Sequence, residues 1–259
     1  MSNLVKSINF DRVAHWYDAY VTADFDLPFW AAEARRHPEP RLELMCGTGR
    51  ISLAILQSGL SLACADYSAP MLAVLSHKLR QRNLTAPVIE ADARSLNLNE
   101  KYAWIFIGFH SFAEISDAEA QAATLHGIAR HLLPGGVFTL SLQNPIVRGP
   151  QLDGRWKELG VFQLAGENKV RVSGAWKFDS PTGLVTGAQH YQEILPNGGI
   201  VAEQEIPIHF RLLGAGDFER MAAAAGFRVL DRWGDYNRSP FDERQSPFMI
   251  YNLSLSPRT

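Results

Sequence analysis

Two glycines and two carboxylates near residue 50 have the types and spacing to hold a charged nucleoside. Gly47 and Gly49 separate an apolar run that contains Glu43 from a helical pattern at residues 51–60. Glycine lets the backbone turn tightly and approach a ligand where a Cβ would clash. Asp66 closes the next apolar run, where an acid can accept hydrogen bonds from both hydroxyls of a ribose. Strand, glycine turn, helix, strand and acid, in this order, hold a nucleoside against a helix N-terminus.

Glu43 distinguishes between classes of nucleoside cofactor. A dinucleotide-binding loop favours Gly-x-Gly-x-x-Gly, but Ser52 occupies the position of the third glycine. A carboxylate at the end of the first strand would repel a pyrophosphate, whereas it would attract a cofactor whose tail carries an ammonium group. An NAD-linked oxidoreductase is therefore the least favoured enzyme class.

At these residues the chain resembles the class I S-adenosylmethionine-dependent methyltransferases. The first motif of that family, acid-x-Gly-x-Gly-x-Gly, is matched by Glu43, Gly47 and Gly49, with Met45 in place of the first glycine. The other stretches that match in family order are an N-terminal cofactor-covering segment (10–18), the second motif (66–72), the third strand (87–94), the fourth strand (104–111) and the turn into the fifth strand (132–141). The resemblance implies S-adenosyl-L-methionine as the cofactor and S-adenosyl-L-homocysteine as the product.

The resemblance also implies which residues contact the cofactor. Asp66 would hold the ribose, and Met71 would pack near the adenine. Asp92 would take the adenine amino group, while the backbone N–H of Ala93 meets a ring nitrogen. The full set of expected cofactor-binding residues is Tyr17, Glu43, Met45, Cys46, Gly47, Thr48, Gly49, Asp66, Tyr67, Met71, Asp92, Ala93 and Phe109.

His110 and Tyr17 are the candidate catalytic residues. Methyl transfer from a sulfonium is an in-line displacement on an activated electrophile, so the protein mainly aligns the nucleophile and excludes water. An amine acceptor only has to bind unprotonated, whereas a phenol or an alcohol benefits from a general base. His110 ends the expected fourth strand and could be that base or orient the acceptor, and Tyr17 would close the cofactor site. No metal site is expected.

Each of these residues also has a purely structural interpretation. Gly47 and Gly49 fit an ordinary strand-to-helix turn, and Asp66 fits the N-cap of a helix that starts near Pro70. An acid such as Asp92 is common after an apolar strand, and a histidine at a strand end can be a hydrogen-bonded structural residue. Several matches in family order favour the functional interpretation over the separate structural ones.

The periodicity of apolar residues predicts an α/β fold with an antiparallel β-insert, and together with the resemblance it implies a Rossmann-like doubly wound seven-stranded sheet with a three-stranded antiparallel β-insert after strand five. Strands and helices alternate over residues 41–141, which predicts a parallel sheet. Residues 170–178 and 200–212 change to a period of two with turn signals between them, which predicts the insert. His190 and Tyr191 lie on its middle strand, and strand parity alone leaves open which of them faces the acceptor.

The same patterns divide the chain into parts with different expected roles. These are an N-terminal helical segment that caps the cofactor site (1–40), a methyltransferase core (41–145 and 214–259) and the β-insert (146–213). We expect the insert to form a wall over the acceptor, a contact within a homodimer, or both.

Composition narrows the classes of partner. The 259 residues are 46% hydrophobic and 20% charged, as expected of a globular chain with one large core. The formal net charge of −2 does not indicate the basic surface that binding to nucleic acid requires. Two cysteines argue against a disulfide framework and for a reducing compartment. The sequence also lacks an apolar run of the roughly 18 residues that a membrane span needs. A cytoplasmic protein without a membrane partner is expected.

The leading functional interpretation is a small-molecule methyltransferase that acts on N or O of a partly apolar or aromatic acceptor. Methylation of RNA or protein is the second interpretation, and a non-catalytic S-adenosylmethionine-binding protein is the third. The abundance of aromatic residues favours an apolar acceptor pocket. The sequence leaves open the identity of the acceptor and the atom that is methylated.

Overall fold

Strands and helices alternate along most of the chain in the computed structural model, which describes residues 8–256. The helices are α1 (Ala14–Tyr20), α2 (Leu27–Arg36), α3 (Arg50–Gln57), α4 (Ala69–Gln81), α5 (Ala118–His131), α6 (Pro145–Arg148) and α7 (Ala215–Ala224). The strands are β1 (Arg41–Leu44), β2 (Ala63–Asp66), β3 (Val88–Glu90), β4 (Tyr102–Ile107), β5 (Leu132–Gln143), β6 (Lys157–Gln163), β7 (Lys169–Asp179), β8 (Leu184–Ile194), β9 (Ile200–Arg211), β10 (Phe227–Trp233) and β11 (Phe248–Leu255).

The ends of the chain are only partly covered. Residues 1–7 of the expected N-terminal segment lie outside the described residues, as do residues 257–259. Within the described range, none of the helices is both long and apolar enough to span a bilayer.

Seven strands form one mixed sheet in the order β10-β11-β5-β4-β1-β2-β3. The five strands from β5 to β3 in this order run parallel, and β11 and β10 are antiparallel to their neighbours. The predicted α/β, doubly wound seven-stranded sheet is therefore confirmed. The strand order reverses between β1 and β4, and ligands of such sheets bind in the crevice outside the carboxyl ends of the strands at this point.

Apolar side chains on both faces of the sheet bury it between helices. On one face, Ile105 packs in a cluster with Leu125 of α5 and Phe218 of α7. On the other face, Trp104 packs in a cluster with Ile55 of α3 and Leu75 of α4. The alternation along β4 follows the period of two of a strand, and burial on both faces explains its continuous apolar run.

The insert has four antiparallel strands, β6 to β9 in sequential order, instead of the three predicted. The additional strand is β6, which has a register shift between Glu158 and Gly160. Its apolar residues Leu159 and Val161 are exposed. Of its apolar residues only Phe162 packs against the buried cluster of the inner face, so the pattern of β6 lacks the run of alternating inward-facing apolar positions that identified the other strands.

The inner face of the insert packs on α1. Trp16 stacks on Tyr191 with ring centroids 6.0 Å apart, and the hydroxyl of Tyr191 donates a hydrogen bond to that of Tyr20 at 3.1 Å. Tyr191 is fully buried, whereas His190 points to the other face and lies 3.5 Å from Glu203. Of the two residues that the sequence left undecided, Tyr191 is thus the one on the face toward α1.

Candidate active site

Two adjoining cavities of about 40 Å³ each lie where β1, β2 and β4 end. Both are lined by Tyr17, Met45, Gly47 and Ser111. The first, which we call the turn cavity, is further lined by Val21, Glu43, Cys46, Thr48, Arg50, Ile51, Gly108 and Phe109. The second, the ribose cavity, is further lined by Phe10, Asp66, Tyr67, Ser68, Met71 and Glu114. A groove of about 800 Å³ between the insert and α7 is larger, but its walls are chiefly proline, glycine and apolar residues.

Asp66 fixes the shape of the glycine turn. Its Oδ2 accepts a hydrogen bond from the backbone N–H of Gly47 at 2.8 Å, and its Oδ1 accepts one from Ser68 N–H at 2.9 Å. Both oxygens keep a further lone pair for a ligand hydroxyl. Gly49 has a φ of +81°, and a Cβ there would lie 2.3 Å from Cδ1 of the fully buried Leu75. The turn therefore requires glycine at this position.

Glu43 is buried beneath the turn and accepts a short hydrogen bond from the hydroxyl of Ser52. Burial raises the pKa of Glu43 to about 8, although Ser52 and the charge of Arg50 oppose that shift. The side chain is therefore mostly protonated at neutral pH until a cation approaches. In the sequence, Ser52 was notable only because it occupies the position of the third glycine of a dinucleotide-binding loop. In the structure it is the hydrogen-bond partner of Glu43.

An ion pair that sequence analysis missed connects the N-terminal segment to the start of α3. Asp26 is fully buried and accepts hydrogen bonds from the guanidinium of Arg50 at 2.6 and 2.8 Å and from Trp30 Nε1 at 3.1 Å. The guanidinium of Arg50 also lies 4.3 Å from the ring centroid of Phe109. Arg50 directly follows Gly49 in the sequence, but nothing there identifies Asp26 as its partner.

Tyr17 is held over both cavities by its neighbour Asp18. One carboxylate oxygen of Asp18 accepts a hydrogen bond from the hydroxyl of Thr48 at 2.5 Å, and the other accepts one from Lys78 at 2.6 Å. The ring of Tyr17 packs edge to face against that of Tyr20, with centroids 5.5 Å apart. Burial raises the pKa of Tyr17 well above its ordinary value, so the phenol stays protonated and can donate a hydrogen bond.

Residues before α1 close the ribose cavity from the other side. The hydroxyl of Tyr67 donates a hydrogen bond to the carbonyl oxygen of Ile8 at 2.6 Å, and that of Ser68 donates one to Asp11 at 2.5 Å. Phe10 lines this cavity and packs edge to face against Tyr17. Together with α1, these residues cover the ends of β1 and β2.

His110 lies at the end of β4 but outside the walls of both cavities. It and Phe109 have positive φ angles of 64° and 49°, and its ring stacks on Phe248 with centroids 4.9 Å apart. Its Nδ1 is buried without a hydrogen-bond partner among the described residues. Burial lowers the pKa of His110 to about 4. Such a ring is a weak proton acceptor at neutral pH, which argues against general-base catalysis by His110.

Asp92 and Ala93 lie apart from the two cavities. Asp92 accepts hydrogen bonds from the guanidinium of Arg94, the shortest at 2.6 Å, and lines a separate groove of about 440 Å³ beside β3. The hydrogen bonds from Arg94 lower the pKa of Asp92, although burial opposes that shift. The structure therefore groups ten of the expected cofactor-binding residues around the cavities and leaves Gly49 to shape the turn, but it does not group Asp92 and Ala93 with them.

Glu114 is a wall residue of the ribose cavity that sequence analysis missed. It ends the 3₁₀ turn Ser111–Glu114 after β4 and is partly buried. Burial raises its pKa to about 8, and the charge of Asp66 adds to the shift. The reasoning that selected Asp66, an acid beyond the carboxyl end of a parallel strand, could also have selected Glu114.

Comparison with known proteins identifies methyltransferases among the proteins that this chain resembles. Residues 42–136 match a family model described as a methyltransferase domain. A cypemycin N-terminal methyltransferase of Streptomyces sp is 35% identical over 104 residues, which make up 40% of this chain and 42% of that protein. A glycine/sarcosine N-methyltransferase of Parasynechococcus marenigrum (strain WH8102) is 26% identical over 88% of this chain and 76% of its own length. The chain spans less than half the length of the two relatives that are more than 30% identical to it.

The same fold occurs in a solved structure, that of the CcbJ methyltransferase from Streptomyces caelestis. The two structures have a TM-score of 0.73 and 22% sequence identity, and the match covers 96% of this chain and 97% of the other. At this identity the likeness concerns the fold alone, and it confirms the predicted Rossmann-like core with a β-insert.

Proposed function

Because residues 42–136 form a class I S-adenosylmethionine-dependent methyltransferase domain, we propose that this chain transfers the methyl group of S-adenosyl-L-methionine to N or O of a small, partly apolar acceptor. The observation that carries this proposal is the arrangement of Glu43, the glycine turn and Asp66 around two adjoining cavities. No other part of the described chain combines a buried acid with such a turn at the switch point of the sheet.

The residues around the cavities fit this cofactor. Asp66 has lone pairs free for the two ribose hydroxyls, and Glu43 is a buried acid suited to the ammonium group of the methionine tail. Met71 and Tyr67 offer apolar surface for the adenine. When bound, the cofactor supplies a methyl group that its positively charged sulfur has already activated.

The protein contributes alignment and exclusion of water. Tyr17 and Phe109 line the turn cavity, and Tyr17 and Phe10 cover the ribose cavity. Such a cover keeps water away from the reacting atoms and limits the orientations of an acceptor. We assign closure of the cofactor site to Tyr17 and orientation of the acceptor to His110.

The remaining parts of the chain have separate roles in this proposal. The N-terminal segment up to residue 40 caps the cofactor site, and the insert of residues 146–213 forms the wall over the acceptor, supported by the packing of Trp16 and Tyr20 on Tyr191. A homodimer would form through the insert, whose exposed Leu159 and Val161 offer apolar surface. The two cysteines are buried and free, which fits a reducing compartment such as the cytoplasm.

Calorimetric titration tests the class of cofactor. We expect micromolar binding of S-adenosylmethionine and S-adenosylhomocysteine and no binding of NADH, because Glu43 attracts an ammonium group and repels a pyrophosphate. Binding of NADH alone would contradict the proposed function.

Binding of S-adenosylhomocysteine at pH 7 should release up to about one proton from Glu43. Burial holds the pKa of this side chain at about 8 in the free protein, whereas an adjacent ammonium group favours the carboxylate. The affinity for S-adenosylhomocysteine should therefore rise as the pH increases through about 8, because Glu43 is then already ionised in the free protein and binding no longer has to remove its proton. Titrations in buffers of different ionisation enthalpy measure the proton, and the Glu43→Gln variant serves as the control that releases none. Equal heats in all buffers would show that Glu43 does not meet the tail.

A further inference from the structure

Glu114 has a rigid position in the wall of the ribose cavity. The turn Ser111–Glu114 follows the end of β4 after residues 108–110, and its Phe112 and Ala113 are buried. The ring of Phe112 packs edge to face on Phe218 of α7 with centroids 6.0 Å apart. Because the two preceding side chains anchor the turn in the core, the carboxylate of Glu114 is presented at the same cavity as Tyr17 and Asp66.

The carboxylate of Glu114 has no hydrogen-bond donor or cation within the described range of the chain. The neighbouring buried acids all have partners: Asp66 has two backbone N–H groups, Glu43 has Ser52, and Asp26 has Arg50. Partial burial of a carboxylate without a partner disfavours its charged form, and together with the charge of Asp66 it raises the pKa of Glu114 to about 8. The missing partner is a donor that a ligand could bring.

The surroundings of Glu114 favour a cation as that ligand. Asp66 lines the same cavity, as do the aromatic residues Tyr17, Phe10 and Tyr67. Acids and aromatic rings both attract a cation. Arg50, which lines the adjoining turn cavity, is already paired with Asp26, and Lys78 is paired with Asp18.

We propose, on the basis of the proposed function, that Glu114 binds the reacting nitrogen of an amine acceptor and takes up its proton. The enzyme would then be an N-methyltransferase. The acceptor enters as an ammonium group, and its N–H proton moves to the carboxylate of Glu114. The freed lone pair forms the new C–N bond while the C–S bond of the sulfonium breaks and leaves its electron pair on sulfur. The product nitrogen, now positively charged, loses its second proton to solvent.

Sinefungin tests this role without knowledge of the acceptor. This analogue of S-adenosylmethionine carries an ammonium-bearing carbon in place of the methylated sulfur, so its cation lies where the acceptor nitrogen would meet the methyl group. The ratio of sinefungin affinity to S-adenosylhomocysteine affinity should fall roughly tenfold or more in Glu114→Gln, as expected for loss of a charged hydrogen bond. Affinity for S-adenosylhomocysteine itself should not change. The matched control is Glu119→Gln, an exposed glutamate at the start of α5, which should behave as wild type.

The wild-type protein offers an independent measurement if Glu114→Gln does not fold. At pH 7, sinefungin should release about one proton more than S-adenosylhomocysteine, because Glu114 and the added amine then share a single proton. Release from Glu43 is common to both ligands and cancels in the difference. The other titratable groups whose charge is coupled to that of Glu114 are Asp66, Tyr17, Tyr20 and Tyr67, and they are the same in both complexes.

The outcomes separate this inference from the proposed function. An unchanged affinity ratio in folded Glu114→Gln, or an equal release of protons with both ligands, would overturn the role of Glu114 and leave the cofactor site intact. A folded Glu114→Gln variant that loses both ligands equally would show a structural role and would also overturn it. If the wild-type protein bound neither ligand, the proposed function would fall, and the role of Glu114 with it.

Discussion

Replacing Asp66 by alanine should weaken the binding of S-adenosylmethionine and S-adenosylhomocysteine by about 1–3 kcal/mol, roughly 5- to 150-fold in affinity. The carboxylate is buried and accepts hydrogen bonds from the backbone of Gly47 and Ser68. Under the proposed function, its removal would deprive the ribose hydroxyls of their acceptor, and it would also remove the hydrogen bond that holds the glycine turn. Calorimetry on the variant and the wild type measures the difference directly.

A control substitution distinguishes the loss of the Asp66 side chain from the general loss of one negative charge. Asp179→Ala removes an exposed aspartate at the end of β7 in the insert, and affinity should stay at the wild-type level. The Asp92→Ala variant tests whether Asp92 contacts the cofactor, because Asp92 pairs with Arg94 and lies outside the two cavities. Unchanged affinity in Asp66→Ala would remove Asp66 from the cofactor site.

The sequence predicted the shared position of Glu43, Gly47 and Asp66 because the reason for it is local. Each follows from a short apolar run and the residue types that end it, and parallel strands end at one edge of a sheet. The observed register pairs Glu43 with Cys64 and Leu44 with Ala65, which brings Asp66 beside the turn. The seven-stranded sheet could be predicted for the same reason.

The residues that escaped prediction are those whose role depends on tertiary partners. Asp26 and Arg50 are 24 positions apart, and only the docking of the N-terminal segment on α3 makes them a pair. Strand β6 was missed because Leu159 and Val161 face outward, contrary to the pattern of a strand packed on one side. Glu114 was missed because it lies seven residues beyond the end of β4, at the end of a 3₁₀ turn.

The electrostatic character of the site follows from these partners taken together. Glu43, Asp66 and Glu114 surround two small cavities, and burial raises the pKa of all three. Arg50 is the basic residue of the walls, and its charge is balanced by Asp26. A cationic ligand restores the ionised form of these acids, whereas an anionic one would raise their pKa values further. This asymmetry favours a sulfonium cofactor and an amine acceptor over a pyrophosphate.

Replacing Arg50 by methionine should lower the free energy of unfolding by about 3–5 kcal/mol, the usual cost of removing one partner of a buried ion pair. The side chain of Asp26 is fully buried and takes two hydrogen bonds from Arg50, so the variant leaves its charge uncompensated. Urea denaturation followed by tryptophan fluorescence measures the loss, since Trp30 donates a hydrogen bond to the same carboxylate. The double variant Arg50→Met with Asp26→Asn should recover much of the lost stability, because the buried charge is then absent.

Arg36→Met is the matched control, because the side chain of Arg36 is 54% exposed and its pair with Glu33 should contribute no more than about 1 kcal/mol. A loss in Arg50→Met as small as that in Arg36→Met would mean that the pair does not fasten the N-terminal segment to α3.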